Sequence, residues 1–153
     1  MQTLNQIVMR ADPDVVFRLA GEVEYWPAIL PHYRSVRVLR RRGQKRLVHM
    51  AATRDGFPVS WTSIQWLDPA ARRIWFRHVK GVSRGMDVEW RIEPRDDDSV
   101  EVTIEHWLAL DWPVIGGFAA ERIIGPLFVE NIAGKTLRRI KEIAEGGSLE
   151  GRR

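Results

Sequence analysis

Few side chains in this 153-residue sequence can carry proton-transfer or nucleophilic chemistry. With no cysteine, thiol nucleophiles, thiolate metal sites and disulfides are all excluded. Four histidines are the groups that exchange protons near neutral pH. Of these, His78 follows Ile74 and Phe76 at alternate positions, and His106 follows Val100, Val102 and Ile104, so each sits on an otherwise apolar strand face. An imidazole in such a place can act as a general base. His78 is the candidate catalytic group, although no Asp or Glu stands at a spacing that assigns it as an orienter. No His-x-His or His-Glu-x-x-His spacing exists, so neither a metal nor any other cofactor is expected. Gly81-Val82-Ser83-Arg84-Gly85 lies between two strand patterns rather than between a strand and a helix, which argues against a phosphate loop. Ser83 is not in a nucleophile elbow. Asp87 and Glu89 share a polar face, the expected place for a solvated strand surface.

Residues suited to holding a ligand are more conspicuous than residues suited to transforming one. The sequence has seven tryptophans. Trp61 shares a face with Val59, Ser63, Gln65 and Leu67, and Trp90 shares one with Met86, Val88 and Ile92. These sets are apolar enough to turn inward. Gln65, His78 and the indole N–H groups of Trp61 and Trp90 can then orient the polar end of a guest, with Arg84 at the rim. Trp66, Trp75 and Trp107 fall on the opposite faces.

Such alternation needs a sheet to give it meaning. A weak strand over Leu4 to Arg10 ends at Ala11-Asp12-Pro13-Asp14, where Asp12 can cap a helix and Pro13 can open it. A second short helix is predicted within Glu22 to Ile29, interrupted by Pro27. From Val36 the period is two. Strands are predicted over 35–41, 46–53, 57–67, 73–79, 85–93 and 100–110, with Arg42-Gly43-Gln44 as a hairpin turn and Asp96-Asp97-Asp98 in another. A helical period then runs from about Pro126 to Glu145, its apolar stripe including Leu127, Phe128, Ile132, Leu137, Ile140, Ile143 and Ala144, and Gly146-Gly147 stops it. Glycines at 116, 117 and 125 bracket a segment able to gate an entrance.

Composition sets the outer bounds. At 44% hydrophobic and 29% charged residues, the chain suits one domain over 1–147, followed by a disordered tail at 148–153. No apolar run approaches the roughly 20 residues that span a bilayer, and the start lacks a secretory pattern, so a cytoplasmic protein is expected. The net charge of +4 is modest. Its distribution is not, since Arg34, Arg37, Arg40, Arg41, Arg42, Lys45 and Arg46 fall together and could meet RNA, an anionic membrane or an acidic protein. A monomer or a homodimer is expected.

Taken in order, several of these segments resemble the START-like, helix-grip superfamily, and within it the group named for polyketide cyclase/dehydrase and for the coenzyme Q-binding protein. They are 11–17 after the first strand, Trp26-Pro27-Ala28-Ile29-Leu30-Pro31 with Tyr33, Trp61, His78-Val79-Lys80-Gly81, Gly85-Met86-Asp87-Val88-Glu89-Trp90, and 132–145. The resemblance implies an α+β fold: a seven-stranded antiparallel sheet wrapped around a long C-terminal helix, with two short helices between strands 1 and 2 and an apolar cavity inside. It implies a hydrophobic guest such as a lipid, a polyprenyl quinone or an aromatic polyketide, bound through Trp26, Tyr33, Trp61, Gln65, His78, Arg84, Met86, Trp90 and Phe128. A polyketide cyclase/dehydrase served by an acyl carrier protein is the alternative it implies. Cyclases place arginines in the cavity, whereas the matching positions here look like Gln65 and His78, which lack a permanent charge. Related bacterial proteins act on the ribosome, a role the Arg34–Arg46 cluster would serve.

Overall fold

In a computed structural model describing residues 2–54, 56–81, 83–108 and 132–146, the period-two segments join into one seven-stranded sheet. Strand β1 (Gln2–Met9) is followed by α1 (Pro13–Gly21), a 3₁₀ turn (Val23–Tyr25) and α2 (Trp26–Ile29). Then come β2 (Tyr33–Arg42), β3 (Lys45–Arg54), β4 (Phe57–Asp68), β5 (Arg73–Gly81), β6 (Met86–Pro94), β7 (Val100–Leu108) and helix α3 (Gly134–Ala144). The strand order is β1-β7-β6-β5-β4-β3-β2, antiparallel throughout, so β2 to β7 form a meander and β1 returns beside β7. This is the helix-grip arrangement that the sequence predicts.

Local chemistry places the breaks. Asp12 caps α1 by accepting a hydrogen bond from the Asp14 amide at 2.8 Å, and Pro13 occupies the first turn. The second predicted helix is two pieces, because Pro27 is tolerated only in a first turn and the helix must restart at Trp26. Gly43, with φ of 60°, opens the two-residue loop between β2 and β3. Gly81 is more constrained. Its φ is 106°, and a β-carbon there would lie 2.6 Å from the Ser60 carbonyl oxygen and 2.8 Å from the Trp61 α-carbon. Glycine therefore lets the end of β5 close onto β4 beside Trp61, where the register also shifts.

Alternation along β4 to β7 puts Trp61, Ser63, Gln65, Ile74, Phe76, His78, Met86, Val88, Trp90, Ile92, Val102, Ile104 and His106 on the buried face. Helix α3 contributes Thr136, Leu137 and Ile140 to the same interior, preceded by Ile132 and Ala133. Two hydrogen bonds fix the helices to their neighbours: Arg139 Nε donates to the Ile29 carbonyl at 2.9 Å, and Gln65 Nε2 donates to the Gly21 carbonyl at 3.0 Å. The start of the predicted C-terminal helix with Phe128, the Gly116–Gly125 segment and the tail at 148–153 lie outside the described residues. No described helix is long and apolar enough to cross a membrane.

Candidate functional site

Between the inner face of the sheet and α3 lies a cavity of about 50 Å³. Aromatic side chains make much of its wall. Trp26 meets Tyr33 edge-on at 5.0 Å between ring centroids and lies 6.1 Å from Trp90. Tyr33 meets Trp61 edge-on at 6.2 Å, and Trp61 stacks on the His78 imidazole at 5.6 Å with planes 5° apart. These rings form one continuous series from β6 through α2 and β2 to β4 and β5. Met50, Phe76, Val88, Ile104, Ile132 and Ala133 are the other apolar residues of the lining among those described.

The polar groups facing this space are neutral. Among the described lining residues Tyr33, His78, His106, Thr136 and the indole N–H groups of the three tryptophans supply the side-chain polar atoms, and none is Asp, Glu, Lys or Arg. Burial, reinforced by the nearby His106, depresses His78 to about 3, and burial depresses His106 to about 4. The same desolvation pushes the Tyr33 hydroxyl well above its ordinary range, against an opposing hydrogen bond with Thr136. His78 Nδ1 lies 2.6 Å from the buried Ser83 hydroxyl, which fixes the ring plane. Thr136 Oγ1 donates to the Ile132 carbonyl at 2.8 Å and lies 3.0 Å from His32 Nε2. Its single proton is thereby used, so His32 is the donor in their contact. Thr136 thus ties α3 to the start of β2.

Trp26, Tyr33, Trp61, His78 and Trp90, five of the residues singled out from sequence, converge on the cavity. Gln65 is buried with its Nε2 committed to Gly21, Met86 is buried elsewhere in the core, and Arg84 is exposed in the turn after β5; none of the three is among the described lining residues. Trp26 directs its indole N–H to the Leu19 carbonyl at 2.9 Å, leaving ring surface for the cavity. Thr136 is absent from the set read from sequence. Its spacing from Ile132 and Ile140, four residues either side, marks it as inward on the helix. His106 carried the signal of alternation, and Met50 carried it with Val48 and Ala52.

A helical grip on an antiparallel sheet around an aromatic-lined cavity defines the chain as a START-like protein. The profile of the family described as polyketide cyclase/dehydrase and lipid transport matches residues 9–125, and the chain belongs to that family. A bifunctional cyclase/dehydratase of the granaticin polyketide synthase from Streptomyces violaceoruber is 28% identical over 102 residues, covering 65% of this chain and 32% of that protein. The match therefore spans about a third of that relative's length. The Zhui aromatase/cyclase from Streptomyces sp. R1128 superposes with a TM-score of 0.82 at 22% identity, over 96% of this chain and 94% of that one. A START superfamily protein from Mycobacterium smegmatis does so with a TM-score of 0.69 at 16% identity, over 97% of each chain. At these identities the two structures speak for the fold.

Proposed function

We propose that the chain binds a flat, largely apolar small molecule of aromatic polyketide type between the sheet and α3. The observation that carries this reading is the continuous wall of Trp90, Trp26, Tyr33, Trp61 and His78 facing a space whose polar groups, among the described residues, are all uncharged. Aromatic edges and faces grip a planar guest, and neutral imidazole and hydroxyl groups hydrogen-bond its carbonyls without the cost of burying a charge. Polyprenyl quinones and lipids share the apolar requirement but gain less from stacked rings. Size adds a condition. About 50 Å³ holds a few waters, whereas a drug-sized ligand needs roughly 300 Å³ or more, so binding requires lining side chains to swing aside.

Cyclisation of a poly-ketone chain delivered by an acyl carrier protein is the second reading, favoured by the family and by His78 reaching the cavity. In it His78 removes a proton beside a ketone, and Tyr33 or His106 donates to the oxyanion that forms. A base whose conjugate acid titrates near 3 has little driving force for that step, and no arginine stands among the described lining residues to stabilise an enolate. Binding therefore comes first. Native mass spectrometry of the purified chain, followed by extraction, tests it: a copurifying aromatic or polyketide-like compound, displaced in Trp61→Ala, is expected. An empty protein whose tryptophan emission is unchanged by such compounds would overturn it. Turnover of a poly-ketone substrate that His78→Ala abolishes, with the fold intact, would promote the second reading.

A further inference from the structure

The opposite face of the sheet presents a different set of residues. Register places Trp66 of β4 directly across from Trp75 of β5, and Lys45 of β3 across from Trp66, with its Nζ 5.6 Å from the Trp66 ring centroid. Arg42 of β2 stands next in the same row, opposite Lys45. One row along, Arg40 faces Leu47 of β3, and beyond it Arg37 faces His49. A shallow depression of about 360 Å³ runs over Trp66, Trp75 and Trp107. A second one, of about 490 Å³, runs over Arg40, Arg41, Arg42, Lys45 and Arg46.

Charge on this face is sorted. The acidic groups beside the tryptophans are already matched: Asp87 holds Arg77 through two bonds of 2.7 and 3.1 Å, Glu89 pairs with Arg73 and Arg91, and Glu105 pairs with Arg91. Arg41 and Arg46, which carry charge at the same hairpin, are both engaged by Glu24. Arg37, Arg40 and Arg42 are exposed and pair with no described carboxylate. Cations with no carboxylate partner among the described residues therefore border a pair of adjacent, half-buried indoles.

We infer that this outer face binds a single-stranded polynucleotide, with bases stacking on Trp66 and Trp75 and phosphates held by Arg37, Arg40, Arg42 and Lys45. The row from Arg42 to Trp75 crosses four strands, roughly 14 Å, enough for two or three nucleotides on a sheet surface. Unstacked bases use an aromatic platform next to a cationic track; a duplex hides its base faces and cannot. An anionic bilayer would instead want protruding apolar side chains, and these tryptophans lie half-buried along the sheet. The site is independent of the inner cavity.

Fluorescence anisotropy of the full chain with a labelled oligouridylate of about 12 nucleotides tests the inference. Four probes accompany it: oligothymidylate, a duplex, an abasic strand of equal charge, and phosphatidylserine vesicles. Single strands of either sugar are expected to bind, with the abasic strand weaker by at least about fivefold. Trp66→Ala and Trp75→Ala should each weaken binding by about fivefold or more without altering its salt dependence. Arg40→Gln with Arg42→Gln should lower the slope of log affinity against log salt by about 1.4. The abasic comparison needs no variant, so a tryptophan change that fails to fold leaves the test intact. Equal binding of abasic and normal strands, equal binding of duplex, or binding to vesicles alone would each overturn the inference.

Discussion

Three imidazoles are held neutral inside the folded chain: burial lowers His78 to about 3 and, with Lys135 nearby in the case of His32, lowers His32 and His106 to about 4, against an ordinary value of 6.5. Above pH 6.5 folded and unfolded chains are equally neutral at these sites, and stability is fully present. As pH falls below 6.5 the unfolded chain takes up protons that the folded chain refuses, and stability declines until the folded values near 4 and 3 are passed. Each histidine contributes at most about 1.4 kcal/mol per pH unit in that window. Urea midpoints measured from neutral pH down to pH 4 should therefore fall steadily, and His106→Asn should flatten the decline; an unchanged slope would rule His106 out as a contributor. Trp61 is the residue whose loss should matter most for ligand, since its ring both walls the cavity and stacks on His78. Trp61→Ala should weaken an aromatic guest by about tenfold in a fluorescence or calorimetric titration.

At the scale of elements, two backbone features decide where those side chains point. The close approach of β5 to β4 at Gly81 sets the stack of His78 on Trp61, because the strand end could not reach Ser60 and Trp61 with a β-carbon in the way. Gly81→Ala should cost at least about 2 kcal/mol in a thermal or urea melt, and should weaken ligand even in the fraction that folds. Loss of the α1 cap is the milder comparison: Asp12→Ala should cost about 1 kcal/mol and leave ligand affinity unchanged. Thr136 links helix to sheet in a different way, through His32, Tyr33 and its own helix backbone. Thr136→Val keeps the shape but strands those buried partners, so a loss of about 1–3 kcal/mol is expected.

For the molecule as a whole, the nearly filled cavity means that the proposed binding of a guest requires the interior to open. A guest at about 100 times its Kd should add about 2.7 kcal/mol of stability, several degrees of Tm for a chain of this size, and differential scanning fluorimetry reads that directly. The sequence by itself determined the elements and the side of each strand that turns inward. Period-two alternation is a local property, so Trp61, His78 and Trp90 were assignable to the interior and Trp66 and Trp75 to the outside before any contact was known. It also determined the stops, because Pro27, Gly43 and Gly146 act through their own dihedrals. Tertiary structure alone decided which inward residues share a cavity. Gln65 and His78 both face in, yet the first is spent on Gly21 and the second reaches the open space, a difference set by how α1 and the end of β5 pack. It also decided the electrostatics: four histidines look alike in sequence, and burial and neighbours, which depend on residues far away in the chain, pull three of them far below their ordinary titration range.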